Sequence, residues 1–155
     1  MADVFTVETF LVDLDDTLCD TTARHQLAVD KRWDDYSMAC RNDPPILFNI
    51  RMVRGLSVMY DIALWTGRQD IAKQPTVDWL AEHNVPWTSL TMRKTGDTSA
   101  NAKYKQQTAA KMLASGKNIT WAMDDNPNVV GPLKVLGINV LLVDRVGKAW
   151  DRSKM

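Results

Sequence analysis

Three acidic residues follow an apolar run near the start of the chain. The run Phe10-Leu11-Val12 leads into Asp13, Asp15 and Asp16. In an extended segment Asp13 and Asp15 point to the same side, so their carboxylates converge just past the strand. Two carboxylates about 4 Å apart repel by roughly 4 kcal/mol at an effective dielectric of about 20. A hard divalent cation such as Mg²⁺ would offset this repulsion. The alternative is a solvated acidic turn.

Two further apolar runs also end in polar residues. The run 62–65 precedes Thr66-Gly67-Arg68, whose hydroxyl, backbone N–H and guanidinium groups can hold phosphate oxygens. An ordinary strand-to-helix turn with Thr66 as a cap is the alternative. The run 120–123 precedes Asp124 and Asp125, which could instead be a helix N-cap. Three apolar runs that each end in acidic or phosphate-binding residues are more easily explained by one shared site than by three unrelated turns.

The elements that carry these residues alternate along the chain. Short apolar runs without polar alternation predict strands that are buried on both faces, at 10–14, 61–65, 89–92, 119–123 and 139–143. Helical periodicity is found at 46–59, 71–81 and 102–113, and a last helix after Asn126-Pro127 is predicted to be kinked or broken at Gly131-Pro132. Alternating strands and helices predict an α/β, three-layer Rossmann-like parallel sheet with helices on both faces. The carboxyl ends of its strands lie at one edge, so the polar groups meet there.

Length and composition predict one domain over residues 1–155. The chain is 45% hydrophobic, enough for a substantial core, and carries 19 basic and 19 acidic residues. That balance excludes a protein that coats nucleic acid through its overall charge. Charge is uneven, however: 93–118 holds six basic residues and one acid, whereas 1–43 holds four basic and ten acidic. The strand-free stretch 21–45 predicts a small helical excursion over the edge of the sheet.

Cellular context is predicted from what the chain does not contain. Met1 to Val4 does not begin a secretory leader, and no window approaches the roughly 20 apolar residues of a membrane span. Cys19 and Cys40 have no metal or redox spacing and are predicted to be reduced thiols. We therefore expect a cytoplasmic protein with no membrane partner. Its oligomeric state stays open.

The order and spacing of these motifs resemble a known superfamily. Asp13-Leu14-Asp15-Asp16-Thr17, then Thr66-Gly67-Arg68, then a lysine upstream of Asp124-Asp125 is similar to the haloacid dehalogenase (HAD) superfamily of phosphohydrolases. Met92-Arg93-Lys94-Thr95-Gly96-Asp97 followed by Lys105, with Arg24 eleven positions after Asp13, resembles the 3′-phosphatase domains of phage polynucleotide kinase-phosphatases. This resemblance implies a HAD-like fold in which 21–45 is only a minimal cap.

The resemblance also implies roles for individual residues. Asp13 would be the nucleophile that forms an aspartyl phosphate, and Asp15 the general acid and base. Thr66 would hold a phosphoryl oxygen, and Lys105 would neutralise the transferring group, although Lys103 is an alternative lysine. The implied ligands of Mg²⁺ are Asp13, Asp15 through its carbonyl, and Asp125, with Asp124 in support. The implied substrate contacts are Arg24, Gly67, Arg68, Arg93 and Asp97.

The predicted function is a Mg²⁺-dependent phosphomonoesterase that removes 3′-phosphate from polynucleotide ends. A 5′-nucleotidase-like or other small-molecule phosphatase is the alternative enzyme, and a binding module that keeps the fold without the reaction is the alternative class. The chain has no Gly-x-x-x-x-Gly-Lys-Ser/Thr loop, so kinase activity is not predicted. Asp16 replaces a glycine found in many relatives. Most tryptophans are expected to pack in the core, and Trp33 and Trp65 are the two that could stack on a base.

Overall fold

A five-stranded parallel sheet forms the centre of the structure, a computed structural model that describes residues 7–148. The spatial order is β3-β2-β1-β4-β5, so two strands flank β1 on either side. The strands are β1 (Glu8–Val12), β2 (Asp61–Gln69), β3 (Ser89–Arg93), β4 (Asn118–Asp124) and β5 (Asn139–Leu142). The predicted parallel α/β sheet is confirmed.

Helices fill the connections between the strands. They are α1 (His25–Val29), α2 (Trp33–Met38), α3 (Leu47–Leu56), α4 (Lys73–Glu82), α5 (Asn101–Ala114) and α6 (Val130–Val135). The stretch between β1 and α3 holds α1, α2 and two 3-10 turns and no strand, as its composition predicted. Within residues 7–148 no helix is long and apolar enough to cross a bilayer.

The alternation of side chains along each strand divides the core between the two faces of the sheet. Phe10, Val12 and Leu64 pack with apolar residues of α3 and α4 on one face. Leu11 and Trp65 pack with apolar residues of α5 and α6 on the other. Because successive strand residues point to opposite faces, both faces need apolar residues. This explains why the strands read as continuous apolar runs.

The strand boundaries differ from the prediction at the edge of the sheet where the carboxyl ends of the strands lie. β1 begins at Glu8 and ends at Val12, so Asp13 directly follows the strand. β2 extends to Gln69, and Thr66-Gly67-Arg68 therefore belongs to the strand instead of the turn after it. The pairing with β3 steps from Thr66↔Met92 to Gln69↔Arg93, which marks a bulge at Gly67 and Arg68. Bulges of this kind redirect side chains beside functional sites.

The predicted break at Gly131-Pro132 is wrong. A 3-10 turn spans Pro127–Val129, and α6 begins directly after it at Val130. Gly131 and Pro132 therefore lie in the first turn of a short helix, where the missing N–H of proline has no helical partner to lose. Met1 to Val4 and the two ends of the predicted 1–155 domain lie outside the described residues.

Candidate active site

The carboxyl ends of β1, β2 and β4 border a cavity of about 330 Å³. Eight of the residues predicted for the site line it: Asp13, Asp15, Thr66, Gly67, Arg68, Arg93, Asp97 and Asp125. The other three, Arg24, Lys105 and Asp124, are almost fully buried and are not part of the lining. Parallel strands place their carboxyl ends at one edge, which is why residues far apart in sequence meet here.

A tight turn after β1 positions the first acidic residues. The N–H of Asp13 donates to the carbonyl of Met123 at 2.9 Å, which extends the pairing of β1 with β4 by one residue. The Leu14 carbonyl then accepts from the N–H groups of the next turn, and Asp16 has a φ of +60°. Glycine adopts that conformation without strain, whereas other residues adopt it less readily. In this chain the Asp16 carboxylate accepts from the N–H and hydroxyl of Thr21, and these bonds stabilise the turn.

Both oxygens of Asp13 are held by neighbouring side chains. Its Oδ1 accepts from Lys105 Nζ at 2.9 Å, and its Oδ2 accepts from the Thr17 hydroxyl at 3.0 Å. The side chain is 6% exposed and lines the cavity. The carboxylate is therefore fixed in orientation at the cavity wall before any ligand binds.

Lys105 lies between two carboxylates of the site. Its ammonium is 1% exposed and forms ion pairs with Asp13 and Asp124, and it lies 5.0 Å from the centre of the Trp65 ring. Burial alone would lower the pKa of Lys105, but the two carboxylates outweigh it and raise the pKa above its usual value. Lys103, the alternative from the sequence, is exposed.

Three carboxylates form a group that could hold a metal ion. Oxygens of Asp13, Asp124 and Asp125 lie within 4.8 Å of one another. Asp124 uses one oxygen for Lys105 and the other for the N–H of Asn126, whereas Asp125 lines the cavity. Burial, together with the charge of Asp13, raises the pKa of Asp124 to about 6. The three carboxylates carry three negative charges, and Lys105 and Lys148 supply two positive ones. The remaining negative charge would favour binding of a divalent cation.

A second acidic group is neutralised by arginine. Asp15, Cys19 and Asp43 are also close enough to form a metal site. Arg24, however, donates to Asp15 at 2.6 Å and to both oxygens of Asp43, and Arg68 donates to the same Asp15 oxygen. Two guanidinium groups thus balance the charges of the two carboxylates in this group. Burial, with Asp15 nearby, raises the pKa of the Cys19 thiol well above its ordinary value, so the thiol is neutral.

The bulge in β2 brings polar groups to the cavity. Thr66 is 1% exposed and its hydroxyl accepts from the N–H of Arg68 at 3.0 Å. A Cβ on Gly67 would lie 2.5 Å from Oδ1 of Asn101, so glycine permits the close approach of the start of α5. Arg68 also donates to the Thr76 hydroxyl at 2.7 Å, which anchors its guanidinium between α4 and Asp15.

Arg93 differs from the other buried cations of the site. It stacks on Tyr104 at 4.7 Å and donates to the carbonyl of Ser99 at 2.6 Å, but it has no ion pair among the described residues. Burial lowers the pKa of Arg93. Asp97 instead accepts from the N–H and hydroxyl of Ser99, which shapes the loop before α5. The negative charge of Asp97 acts on Arg93 without forming an ion pair, so the guanidinium could still attract an anion in the cavity.

Several partners of the site were not predicted from the sequence. Asp43 holds Arg24, and Lys148 pairs with Asp125 at 2.9 Å. Arg145 pairs with Asp16 at 3.1 Å and with Asp20 at 3.3 Å. Arg145 and Lys148 both follow β5, in a segment where the sequence shows no recognisable motif. Only the sheet order, which places β5 beside β4, brings this segment to the site.

Solved structures of known proteins share this fold. A Pnkp1 chain of the Pnkp1/Rnl/Hen1 complex is 20% identical with a TM-score of 0.76, over 91% of this chain and 47% of that chain. The HAD-hydrolase YfnB from Bacillus subtilis, bound to magnesium, is 12% identical with a TM-score of 0.65, covering 93% and 92%. The HAD enzyme bt-2542 from Bacteroides thetaiotaomicron, an asp12ala mutant in complex with magnesium and inorganic phosphate, is 10% identical with a TM-score of 0.58, covering 96% and 98%.

The family match, together with the fold, shows a phosphatase of the HAD superfamily. Residues 7–147 match the family model of the polynucleotide kinase PNKP phosphatase domain, and the chain belongs to that family. It spans about half the length of the Pnkp1 chains that it matches. No curated protein sequence matches it at a significant level.

The buried ammonium of Lys105 leads to a stability prediction. Lys105→Gln should lower the free energy of unfolding by about 3 to 5 kcal/mol near neutral pH, because Asp13 and Asp124 would keep buried charges without a cation. Lys103→Gln, the matched control at an exposed position, should change it by no more than about 0.5 kcal/mol. Urea unfolding followed by circular dichroism measures both. Equal losses in the two variants would contradict this placement.

The stability lost in Lys105→Gln is predicted to depend on pH. Asp124 holds its proton more tightly in the folded chain, with a pKa of about 6 against 3.8 in the unfolded chain. Acidification through this interval therefore favours the folded state, and that contribution is lost as the pH rises through about 6. A protonated Asp124 carries no charge for the Lys105 ammonium to neutralise. The decrease in the free energy of unfolding in Lys105→Gln should therefore be smaller at about pH 5 than near neutrality.

Proposed function

We propose that this chain is a Mg²⁺-dependent phosphomonoesterase that works through an aspartyl phosphate on Asp13 and removes 3′-phosphate from polynucleotide ends. The observation that carries the proposal is the fixed Asp13 carboxylate, held by Lys105 and Thr17 at the wall of a cavity that Asp15 also lines. An oriented carboxylate beside a second carboxylic residue is what a two-step transfer needs.

The first step would transfer the phosphoryl group to Asp13. A carboxylate oxygen of Asp13 attacks phosphorus, the bond between phosphorus and the substrate oxygen breaks, and Asp15 protonates that leaving oxygen. Arg68 lines the cavity with Asp15, so a bound phosphate competes with Asp15 for its guanidinium. This competition would remove one of the two guanidinium groups that contact the Asp15 oxygen, which favours protonation of Asp15, while Arg24 keeps its contact. Lys105 would neutralise negative charge on the nucleophile and on the phosphoryl group during its transfer.

The second step would regenerate the enzyme. Asp15, now deprotonated, accepts a proton from water as the water oxygen attacks phosphorus. The bond between phosphorus and the Asp13 oxygen breaks, which restores the carboxylate and releases inorganic phosphate. Each atom and proton is accounted for by Asp13, Asp15, the ester and one water.

Mg²⁺ fits the acidic group next to Asp13. We assign Asp13, Asp125 and the backbone carbonyl of Asp15 as its ligands, with Asp124 in support through Lys105. When bound, the ion would neutralise charge on the phosphoryl oxygens. Two solved structures with this fold contain magnesium, which supports the assignment without showing it for this chain.

Substrate contacts are assigned to the groups around the cavity. Thr66 and the N–H of Gly67 would hold phosphoryl oxygens, and Arg68 and Arg93 would contribute charge. The guanidinium of Arg24 is engaged by Asp15, Asp43 and the Tyr36 carbonyl, so its assigned contact with phosphate requires release from these partners.

Family membership favours a polynucleotide substrate. The matching family is the phosphatase domain of a polynucleotide kinase, and the Pnkp1 structure with the same fold belongs to an RNA repair complex. We propose that the stretch 21–45 acts as a minimal cap, built from two short helices and 3-10 turns. The test is turnover of 3′-phosphorylated oligonucleotides against nucleoside 5′-monophosphates. Preference for the mononucleotides would replace this proposal with a nucleotidase.

Replacement of the nucleophile gives a direct prediction. Asp13→Asn should reduce phosphate release from a 3′-phosphorylated oligonucleotide by at least about 1,000-fold, because an amide cannot accept the phosphoryl group. Asp61→Asn, the same change at an exposed position where β2 begins, should retain activity. A colorimetric phosphate assay measures both, and thermal melting checks folding. Robust turnover by folded Asp13→Asn would refute the mechanism.

Metal binding gives a second prediction for the proposed site. Loss of an outer-shell partner of a metal ligand costs roughly 10- to 100-fold in affinity, so loss of a ligand should cost at least as much. Asp125→Asn should therefore weaken Mg²⁺ binding by at least about 10-fold in calorimetric titrations with the metal alone. Asp61→Asn should leave it unchanged. Unaltered Mg²⁺ affinity in Asp125→Asn would remove Asp125 from the site.

A further inference from the structure

Trp33 is a tryptophan at the cavity that contains the catalytic carboxylates. It is 40% exposed and lines the same cavity as Asp13 and Asp15. Trp65 is fully buried beneath Lys105 and has no surface to offer a ligand. Trp87 is equally exposed at 40% but is not part of the lining. A large, half-exposed aromatic ring therefore meets the cavity on α2, within the predicted cap stretch.

A chain of contacts fixes Trp33 relative to the reacting groups. Its ring packs edge-on against Tyr36, with the ring centres 5.8 Å apart and an interplanar angle of 83°. Arg24 lies over the Tyr36 ring at 4.2 Å, and its guanidinium is bonded to Asp15 and Asp43. A ring supported in this way is positioned before a ligand arrives, which reduces the ordering cost of binding.

The charges around Trp33 favour a neutral ligand group. Asp34 and Asp35 follow it on α2, both exposed, and Asp35 pairs with Arg32 at the surface. Lys31 and Arg32, also exposed, precede Trp33, so the local charges balance and no excess of positive charge lies beside the ring to hold a phosphate. The cations that line the cavity, Arg68 and Arg93, come from β2 and β3. Phosphate and a neutral aromatic group would thus be bound by different elements.

The cavity is larger than a phosphate group alone would require. About 330 Å³ lies within the range of roughly 300 to 1,000 Å³ of pockets that hold whole small molecules. A nucleobase is neutral, flat and aromatic, and it stacks on tryptophan regardless of sequence. The base is therefore the part of a terminal nucleotide that could stack on the exposed ring of Trp33.

We infer that Trp33 stacks on the base of the nucleotide that carries the scissile 3′-phosphate, and so selects nucleic-acid ends over other phosphate esters. This inference rests on the proposed function, since it assumes a nucleotide substrate. Stacking on one aromatic ring corresponds to about 5- to 160-fold in affinity. The ring takes no part in bond breaking, so its loss should raise KM and leave kcat little changed.

The test compares two substrates in four proteins. One oligonucleotide carries a 3′-phosphate on an intact terminal nucleotide, and the other carries it on a terminal sugar without a base. Wild type should favour the first by about 5- to 160-fold in kcat/KM, through a lower KM. Trp33→Ala should lose this preference, and Trp33→Phe should keep most of it. Trp87→Ala, the control of equal exposure, should keep all of it.

Each outcome decides between the two proposals. If wild type shows no preference, or Trp33→Ala keeps it, the stacking inference fails while the 3′-phosphatase activity stands. If wild type releases phosphate from neither oligonucleotide, the proposed function fails and the inference falls with it. Should Trp33→Ala not fold by thermal melting, Trp33→Leu supplies an apolar side chain without a ring and is expected to lose the preference in the same way.

Discussion

The ion pairs of Lys105 make the rest of the site possible. Asp13 and Asp124 are buried at the ends of neighbouring strands, where their charges would repel each other strongly without a cation between them. Lys105 reaches them from α5, so the helix, β1 and β4 are joined at the functional edge. One buried ammonium thus stabilises the fold locally and holds the carboxylate that is proposed to react.

The sheet and its irregularities determine where the other groups lie. Parallel strands bring three polar ends to one edge, and the bulge in β2 adds Thr66, Gly67 and Arg68 to the cavity wall. Gly67 allows the start of α5 to approach closely, which in turn positions the helix that carries Lys105. Departures from regular structure in β2 and at Asp16 both occur beside the cavity. They position side chains that a regular strand or turn would direct elsewhere.

Local sequence patterns predicted the parallel sheet and the strands that carry Asp13, Thr66 and Asp125, because each strand is a short apolar run followed by polar residues. The partners of Arg24 and Asp125 were not predicted, since Asp43 and Lys148 reach them only through tertiary folding. Gly131-Pro132 was misread because a proline in the first turn of a helix looks the same in sequence as one inside it. The choice between Lys103 and Lys105 likewise needed the helix to be placed on the sheet.

The central claim is that a phosphoryl group becomes covalently attached to Asp13. Rapid acid quenching of a single turnover with a 3′-phosphorylated oligonucleotide, followed by proteolysis and mass spectrometry, tests it most directly. Asp15→Asn should slow both formation and hydrolysis of the intermediate, because Asp15 is the proposed acid of the first step and the base of the second. We expect phosphate on the peptide that contains Asp13, and at that residue. Phosphate release by the wild-type protein with no phosphorylated Asp13 at any quench time would contradict this mechanism.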